Sequence, residues 1–468
     1  MSWGSLGARL FAYVVVLPLA LRFLSTEVMA IWLVLGVIAS FQMVADLGFS
    51  STFTRIVAYA LGGRDVRTPA GFNGAGIQGH RAGTPDPRTL AAVVATMRIL
   101  YRRLAVGALL IIGSGGTWVL MAPIAGSGDP ASAWLAWGIT LGTLTIGLYG
   151  NLYGAFLQGT NQVALQRRWE MYCALGAGVT DCTALLLGGG LIALVASNQA
   201  WVIVNVLINR RLAFVTAGSK NVWSSRPRPD WDIIRAVWPP AWRSAIGVGM
   251  SFGLIQGTAL AFARLASPVE TASYLLALRL IQTISAFSQA PFYSKLPLLA
   301  RLNAEGKSSE LINIARRGMM ASYWTFTLGV VCVGLGATAF LDAVGSNTRF
   351  VDVSFWGLLG IAFFVERVGA MHIQLYSTTN HIVWHIATGV TGAMYLFAGL
   401  ILFPLIGAYA MPVAMLIGYL GFYLWYATYH SCRAFRFSFG EFERRLSALP
   451  FVILLLFEAT ATLTIGLY

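Results

Sequence analysis

Residues 104–125 read LAVGALLIIGSGGTWVLMAPIA, a run of 22 residues without a charged side chain. At a rise of about 1.5 Å per residue, a helix of this length crosses the roughly 30 Å hydrocarbon core of a bilayer. Similar apolar runs occupy 6–24, 28–47 and 319–341. Because backbone in lipid must satisfy its own hydrogen bonds, and because these runs are rich in Leu, Ala, Gly and Met, they predict helices rather than barrel strands.

The composition of the whole chain agrees with these runs. Of its 468 residues, 57% are hydrophobic and only 11% are charged, too few to give one soluble core a charged shell. The sequence therefore predicts an all-α polytopic membrane protein. A thirteenth apolar segment, 449–467, either spans the membrane or lies on its surface; the twelve spans are predicted near 6–24, 28–60, 90–124, 133–157, 171–195, 197–217, 239–263, 271–298, 317–341, 354–378, 381–403 and 406–430.

The net charge of +14 is explained by membrane topology rather than by nucleic acid, because the basic residues fall in alternate loops instead of one patch. With the N-terminus in the cytoplasm, most Lys and Arg residues lie on the cytoplasmic side, as the positive-inside rule requires. This arrangement predicts loops 61–89 and 218–238 inside and loop 342–353 outside.

The chain contains two related halves. The segment RFLSTEVMA at 22–30 resembles RLASPVETAS at 264–273, and TNQV at 160–163 resembles TNHI at 379–382. Six spans per half is an even number, so both halves enter from the same side and are related by a pseudo-two-fold axis along the membrane normal. The predicted parts are a six-helix bundle, a cytoplasmic linker, a second six-helix bundle, and a basic loop with a further terminal helix, at 1–217, 218–238, 239–430 and 431–468.

Several short motifs resemble a known family. The segment EVMAIW at 27–32, followed by DLGF at 46–49 and by Arg55, is similar to the start of Wzx-type polysaccharide flippases of the multidrug/oligosaccharidyl-lipid/polysaccharide (MOP) exporter superfamily. The segments YLLALRL at 274–280 and KLPLLAR at 295–301 resemble the eighth helix of the same superfamily, which includes lipid II flippases. The matching is weaker after the tenth span.

The resemblance implies a fold and a substrate. The fold would be two six-helix bundles around a central cavity that opens alternately to each side of a bacterial inner membrane. The substrate would be a polyprenyl-pyrophosphate-linked oligosaccharide, such as an O-antigen unit of lipopolysaccharide, whose lipid tail stays in the bilayer. The implied partners are this lipid-linked sugar, the bilayer, and polysaccharide polymerase or assembly proteins; no cofactor, metal or nucleic acid is implied.

Cationic side chains inside the predicted spans are candidates for substrate binding, because each costs about 2.5–3.5 kcal/mol at a helix centre unless it meets water or a partner. Arg279 is predicted to lie about 12 Å deep, too far to reach the surface easily. Its guanidinium can hold a phosphate through two parallel hydrogen bonds. The alternative is a structural ion pair with Asp181 or Glu366. The candidate cavity cations are Arg279, Arg367, Arg55, Arg22 and Arg264.

The candidate ion-coupling residues are the acids Glu366, Asp181 and Asp46. Glu366 and Arg367 are adjacent, so their side chains leave the helix about 100° apart and are predicted to need separate partners. Asp46 and Arg55 are predicted to lie on opposite faces of one helix. An alternative for Arg55 is that it only anchors the membrane topology. Arg22 and Arg264 occupy corresponding places in the two repeats, and the alternative for them is contact with lipid headgroups.

Two other functional classes are alternatives to a flippase. An ion-coupled small-molecule exporter on the same scaffold usually has an essential acid in its first or seventh helix, whereas 6–24 and 239–263 contain none. A membrane enzyme would need catalytic residues clustered in a large outer loop, and the predicted outer loops are too short. The pattern GAGIQG at 74–79 fits a dinucleotide-binding motif but has no strand before it. The predicted function is therefore translocation, not catalysis.

Overall fold

The computed structural model describes residues 15–61, 87–216, 219–225, 229–249, 254–305, 307–379 and 383–465. Every regular element in these ranges is a helix, which confirms the predicted all-α class. Nearly all of the predicted loop 61–89, with its glycine pattern at 74–79, lies outside the described residues. So do 380–382, most of the second copy of the TNQV repeat.

The α-helices are numbered here in chain order. They are α1 Leu17–Phe23, α2 Thr26–Ser40, α3 Gln42–Ala45, α4 Phe49–Leu61, α5 Pro87–Ala125, α6 Pro130–Gly159, α7 Val163–Leu186, α8 Gly190–Val215, α9 Ser219–Ser224, α10 Trp231–Val248, α11 Leu254–Leu265, α12 Pro268–Ser288, α13 Ala290–Tyr293, α14 Leu296–Ala304, α15 Ser308–Val344, α16 Val353–Ser377, α17 Trp384–Ile406, α18 Ala410–Gly418, α19 Leu424–Phe435, α20 Phe439–Leu446 and α21 Ala448–Ile465.

The described helices include many that can span a membrane. Judged by length and composition, seven helical stretches qualify, and an eighth does if α20 and the following helix, bent by 61°, count as one span. The protein is thus a multi-pass membrane protein. The seven stretches are Thr26–Leu61, Pro87–Ala125, Pro130–Gly159, Gly190–Val215, Ser308–Val344, Val353–Ser377 and Trp384–Phe435.

Fewer stretches qualify than the twelve predicted spans, for identifiable reasons. The predicted spans 381–403 and 406–430 lie in one run, Trp384–Phe435, which is interrupted by a short 3-10 helix at Gly407–Tyr409. The helix α7 is too polar to qualify, because two arginines, a glutamate and an aspartate interrupt its apolar residues. The predicted first span, 6–24, is described only from residue 15 onward.

The boundary between α7 and α8 differs from the predicted one. A span was predicted over 171–195, but α7 ends at Leu186. Gly188 and Gly190 have φ angles of 71° and 63°, a left-handed conformation that glycine adopts without a Cβ clash and that stops the helix. The sequence had predicted that Asp181 lies well inside a span. In the structure it lies near the end of α7.

The chain divides into two compact units. Unit 1 comprises Met1–Gly249, Ala263–Pro268 and Val344–Asn347, and unit 2 comprises Met250–Phe262, Val269–Ala343 and Thr348–Tyr468.

Within unit 1, α6 is the central helix and packs against α4, α5 and α8. A Cβ at Gly159 of α6 would lie 2.6 Å from Val57 of α4, so a small residue is required where these helices touch.

Within unit 2, α16 takes the central place. It packs against α18, α19 and α21, and most of its side chains are buried. Trp356 of α16 is fully buried, and its indole N–H donates a hydrogen bond of 2.8 Å to the Val330 carbonyl of α15. The terminal helix α21, the thirteenth apolar segment of the sequence, thus packs on the central helix of its unit.

Candidate functional site

A polar cavity of about 460 Å³ lies inside unit 1, between α3, α6, α7 and α8. Seven of the twenty residues that line it carry side-chain amides. Buried amides are costly in a membrane protein unless they find hydrogen-bonding partners, so their convergence marks this cavity as the candidate site. Among them are Gln42, Asn151, Gln166, Asn198, Asn205 and Asn209.

The helix α8 supplies three of these amides through simple periodicity. Asn198, Asn205 and Asn209 are spaced by seven and then four residues, which places them on one face of an α-helix. The rest of α8 is apolar enough to cross a membrane. These amides are not among the site residues predicted from charge, although their spacing is visible in the sequence.

Two glycines of α6 leave room for amides from neighbouring helices. A Cβ at Gly147 would lie 2.9 Å from the amide nitrogen of Gln42, and a Cβ at Gly154 would lie 3.0 Å from that of Gln166. Any larger residue at these positions would push an amide away from the cavity. The glycines of α6 therefore shape the site as well as the helix packing.

The charges in the cavity wall cancel. Arg167 forms an ion pair of 2.7 Å with Glu170, one turn along α7. The other carboxylate oxygen of Glu170 accepts a hydrogen bond of 3.0 Å from the Gln166 amide. Among the residues that line the cavity, these are the charged ones, so the wall carries no net charge.

Two amide oxygens of the wall have no hydrogen-bond partner within the described residues. They are Oε1 of Gln166 and Oδ1 of Asn209, on side chains that are only 4% and 6% exposed. One N–H of Asn209 donates to Asn205 at 2.9 Å. A buried polar atom without a partner costs about 1–3 kcal/mol, so each of these oxygens calls for a donor that the described residues do not supply.

Asp46 lies behind the cavity wall and joins three helices. Its carboxylate accepts hydrogen bonds from the backbone N–H and the hydroxyl of Ser50, at 2.9 and 2.8 Å. It also accepts from Asn151 of the cavity wall at 3.0 Å and from the Tyr101 hydroxyl at 3.3 Å. Asp46 is thus held by neutral donors from α4, α5 and α6.

The prediction that Asp46 and Arg55 lie on opposite faces of one helix assumed a continuous helix, and that assumption was wrong. The two were placed on opposite faces of one continuous helix, but the helix breaks between α3 and α4. Leu47 and Gly48 have φ angles of 51° and 69°, so the helical phase does not continue through them. Arg55 lies on α4 with an exposed side chain, whereas Asp46 is buried and caps the start of that helix.

Asp181 also lies behind the cavity wall. It is 4% exposed and accepts hydrogen bonds from the hydroxyl of Ser197 and, at 3.1 Å, from the amide of Asn198, which lines the cavity. Within the part of the chain that the structure describes, neither Asp181 nor Asp46 forms an ion pair with a basic group within 4 Å. Two of the three predicted acids are therefore buried next to the cavity with only neutral donors.

The third predicted acid, Glu366, lies in unit 2 beside Arg367. Adjacent positions on α16 were expected to prevent a direct pair, and this was wrong: a guanidinium nitrogen of Arg367 lies 3.4 Å from Glu366 Oε2. Both side chains are long enough to bend towards each other despite leaving the helix at different angles. Arg367 is 3% exposed and also donates to the hydroxyl of Ser285 on α12.

The other predicted cations are not part of the cavity in unit 1. Arg22 and Arg264 each lie in the last turn of a helix, over the rings of Phe23 and Trp118 at 5.6 and 5.4 Å respectively. Arg279 of unit 2 has an exposed side chain on α12, and Glu366 pairs with Arg367 instead.

A second buried ionisable pair was not predicted. His372 of α16 and Glu443 of α20 lie 3.0 Å apart and are 0% and 5% exposed. The hydroxyl of Tyr323 is 3.4 Å from the same carboxylate oxygen, and Phe442 packs against the histidine ring. These contacts fix the short amphipathic helix α20 to the core of unit 2.

Comparisons with known proteins identify the fold. No protein-family model and no curated protein matches the chain. A MATE-family multidrug resistance transporter of the MOP superfamily, in an inward-facing conformation, matches with a TM-score of 0.59 at 14% identity, covering 92% of this chain and 95% of that chain. The lipid II flippase MurJ, in an inward closed conformation, matches with a TM-score of 0.57 at 13% identity, covering 97% of each chain.

A mutant of the MATE transporter VcmN from Vibrio cholerae matches with a TM-score of 0.51 at 12% identity, covering 93% of this chain and 98% of that chain. At such identities the likeness concerns the fold alone. The predicted similarity to the MOP superfamily is confirmed at that level. The chain thus has the fold of MOP-superfamily transporters over almost its whole length.

Proposed function

We propose that this protein translocates a polyprenyl-pyrophosphate-linked oligosaccharide across a bacterial inner membrane by alternating access. The observation that carries the proposal is the neutral, amide-lined cavity of about 460 Å³ inside one unit of a multi-pass membrane fold. A sugar head group loses its hydration when it enters the hydrocarbon region, and a cavity of this kind replaces those hydrogen bonds. The prenyl tail needs no such site because it remains in lipid.

Two further observations support a lipid-linked sugar. The motifs at 27–32, 46–49 and 274–280 resemble polysaccharide flippases of the MOP superfamily. The fold is shared with MurJ, which is a flippase for lipid II. In this proposal Arg279 and Arg367 are the leading candidates to neutralise the pyrophosphate, since a guanidinium binds phosphate oxygens in pairs.

A second candidate function is ion-coupled export of a small molecule. It is favoured by Asp46 and Asp181, two carboxylates buried in unit 1 without a basic partner among the described residues. A buried carboxylate held only by neutral donors is a natural place to bind a proton or a metal cation. The fold is also that of MATE transporters, which makes this the main competing proposal.

One reconstitution experiment separates the two functions. Lipid-linked glycans extracted from the host are labelled on the sugar with the fluorophore NBD and placed in both leaflets of proteoliposomes. Dithionite then bleaches the outer leaflet only, so continued loss of fluorescence reports translocation. We expect faster loss with the protein than in protein-free liposomes, and no gradient-driven uptake of the cationic dye ethidium. Dye uptake without glycan translocation would refute the flippase and support the exporter.

A further inference from the structure

We propose that the amide-lined cavity of unit 1 binds the uncharged, polyhydroxylated sugar part of the substrate and excludes its pyrophosphate. This inference rests on the proposed function and names the part of the substrate that the cavity receives. The starting point is the pair of unpartnered acceptors, Oε1 of Gln166 and Oδ1 of Asn209. Both belong to side chains that are more than nine-tenths buried and that line the cavity.

The hydrogen-bonding capacity left in the wall selects the ligand. An oxygen acceptor needs an O–H or N–H donor, and an ionised pyrophosphate offers acceptors only. A sugar hydroxyl donates one hydrogen bond and accepts others, so it can serve both orphan oxygens and the remaining amide N–H groups. One N–H of Gln166 and one N–H of Asn209 already donate to Glu170 and Asn205, whereas their oxygens have no donor among the described residues.

The electrostatics of the cavity disfavour an anion. Among the lining residues the cation is Arg167, and its charge is already matched by Glu170 at 2.7 Å. Behind the wall lie the carboxyl groups of Asp46 and Asp181, each hydrogen-bonded to an amide that faces the cavity. A doubly charged pyrophosphate group placed here would meet no uncompensated positive charge in the wall.

Trp201 adds an apolar surface suited to a sugar ring. Its indole N–H donates to the Thr180 hydroxyl at 3.1 Å, which fixes the ring orientation. A Cβ at Gly176 would lie 2.4 Å from the ring, so that glycine allows the ring to lie against α7. A pyranose has hydroxyls around its edge and C–H groups on its faces, and a fixed aromatic ring packs against such a face. The volume of about 460 Å³ lies within the range of small-ligand pockets.

The test uses a cysteine in the cavity wall as a reporter. Ala177 lines the cavity, and Ala177→Cys is introduced after the four native cysteines are replaced. The rate at which a small membrane-permeant maleimide labels this cysteine is measured on the full-length protein in nanodiscs. Three probes are added separately: the host's own lipid-linked glycan, polyprenyl pyrophosphate without sugar, and tetraphenylphosphonium as a cation.

We expect the lipid-linked glycan alone to slow the labelling. Equal protection by polyprenyl pyrophosphate would place the phosphate in the cavity and overturn the proposal. Protection by tetraphenylphosphonium alone would indicate a cation site. Absence of protection by all three probes would indicate that the cavity holds only water. Either result would refute the sugar site. If the NBD-labelled glycan is still translocated in those cases, the proposed function stands and only the sugar site is lost.

A pair of variants ties the effect to the orphan acceptors. Asn209→Leu keeps a similar volume but removes the hydrogen-bonding group, and we expect about tenfold weaker protection by the glycan, as for a lost buried hydrogen bond. Asn221→Leu is the matched control, since Asn221 is an exposed asparagine of the same unit that does not line the cavity. Equal protection in the two variants, at equal amounts of folded protein, would contradict the proposal.

Discussion

The break between α3 and α4 is held by one carboxylate, and its removal is the most informative perturbation of unit 1. Asp46 accepts two hydrogen bonds from Ser50, one from Asn151 and one from Tyr101. It thereby caps α4 and also ties α5 and α6 to the break. We expect Asp46→Ala to destabilise the unit strongly and Asp46→Asn to do so partially.

The magnitude follows from the groups left without a partner. In Asp46→Ala the Ser50 backbone N–H and the Asn151 amide each lose an acceptor, at about 1–3 kcal/mol apiece for a buried group. The Ser50 hydroxyl can turn to Tyr101, 3.0 Å away, which limits the total to about 3–5 kcal/mol. Asp46→Asn keeps one acceptor oxygen and should cost about 1–2 kcal/mol.

Thermal unfolding of the detergent-solubilised protein, with Cys182, Cys332 and Cys432 replaced, measures this effect through the exposure of buried Cys173 to a thiol-reactive dye. For a unit of this size, a loss of 3–5 kcal/mol corresponds to a decrease of about 10 °C in the unfolding midpoint. Asp129→Ala is the control, because Asp129 caps α6 from an exposed position through Ser132, and a smaller decrease is expected. A wild-type midpoint for Asp46→Ala would refute the structural role. Normal stability with lost transport would make Asp46 an ion-coupling residue instead.

Three further predictions concern unit 2. Arg279→Lys should keep partial glycan export because the charge remains without the planar fork, whereas Arg279→Glu should abolish export at normal protein level; wild-type export by Arg279→Glu would rule out a phosphate-binding role. Glu366→Gln should remove any dependence of transport on the proton gradient while the protein still folds; full coupling in the variant would make Glu366 structural. Glu443→Gln should weaken the contact with His372 and make segment 431–447 more sensitive to limited proteolysis. The control is Glu441→Gln, at an exposed position of the same helix. Equal cleavage of the two variants would contradict the prediction.

The fold could be predicted from the sequence because the constraint that decides it is local. An uncharged run such as 104–125 must be helical in lipid, whatever its neighbours are. Helix boundaries depend on finer chemistry, and several were missed. The two left-handed glycines after α7 and the Asp46–Gly48 turn interrupt stretches whose hydropathy is continuous, so an average over many residues does not detect them.

The sequence predicted the two acids behind the cavity wall but not the amides that line it. Asp46 and Asp181 are conspicuous in the sequence because a charge in an apolar span is costly, and both do lie next to the cavity. The residues that face the cavity are their hydrogen-bond partners, Asn151 and Asn198, and these carry no charge.

Which amide meets which carboxylate depends on how α6 and α8 are rotated against their neighbours, and helix rotation is set by packing rather than by hydropathy. The periodic amides at 198, 205 and 209 could still have been found, since an asparagine face on an apolar helix needs partners for the same reason that a charge does. Amides on one face of an apolar helix therefore indicate a polar site as strongly as isolated charges do.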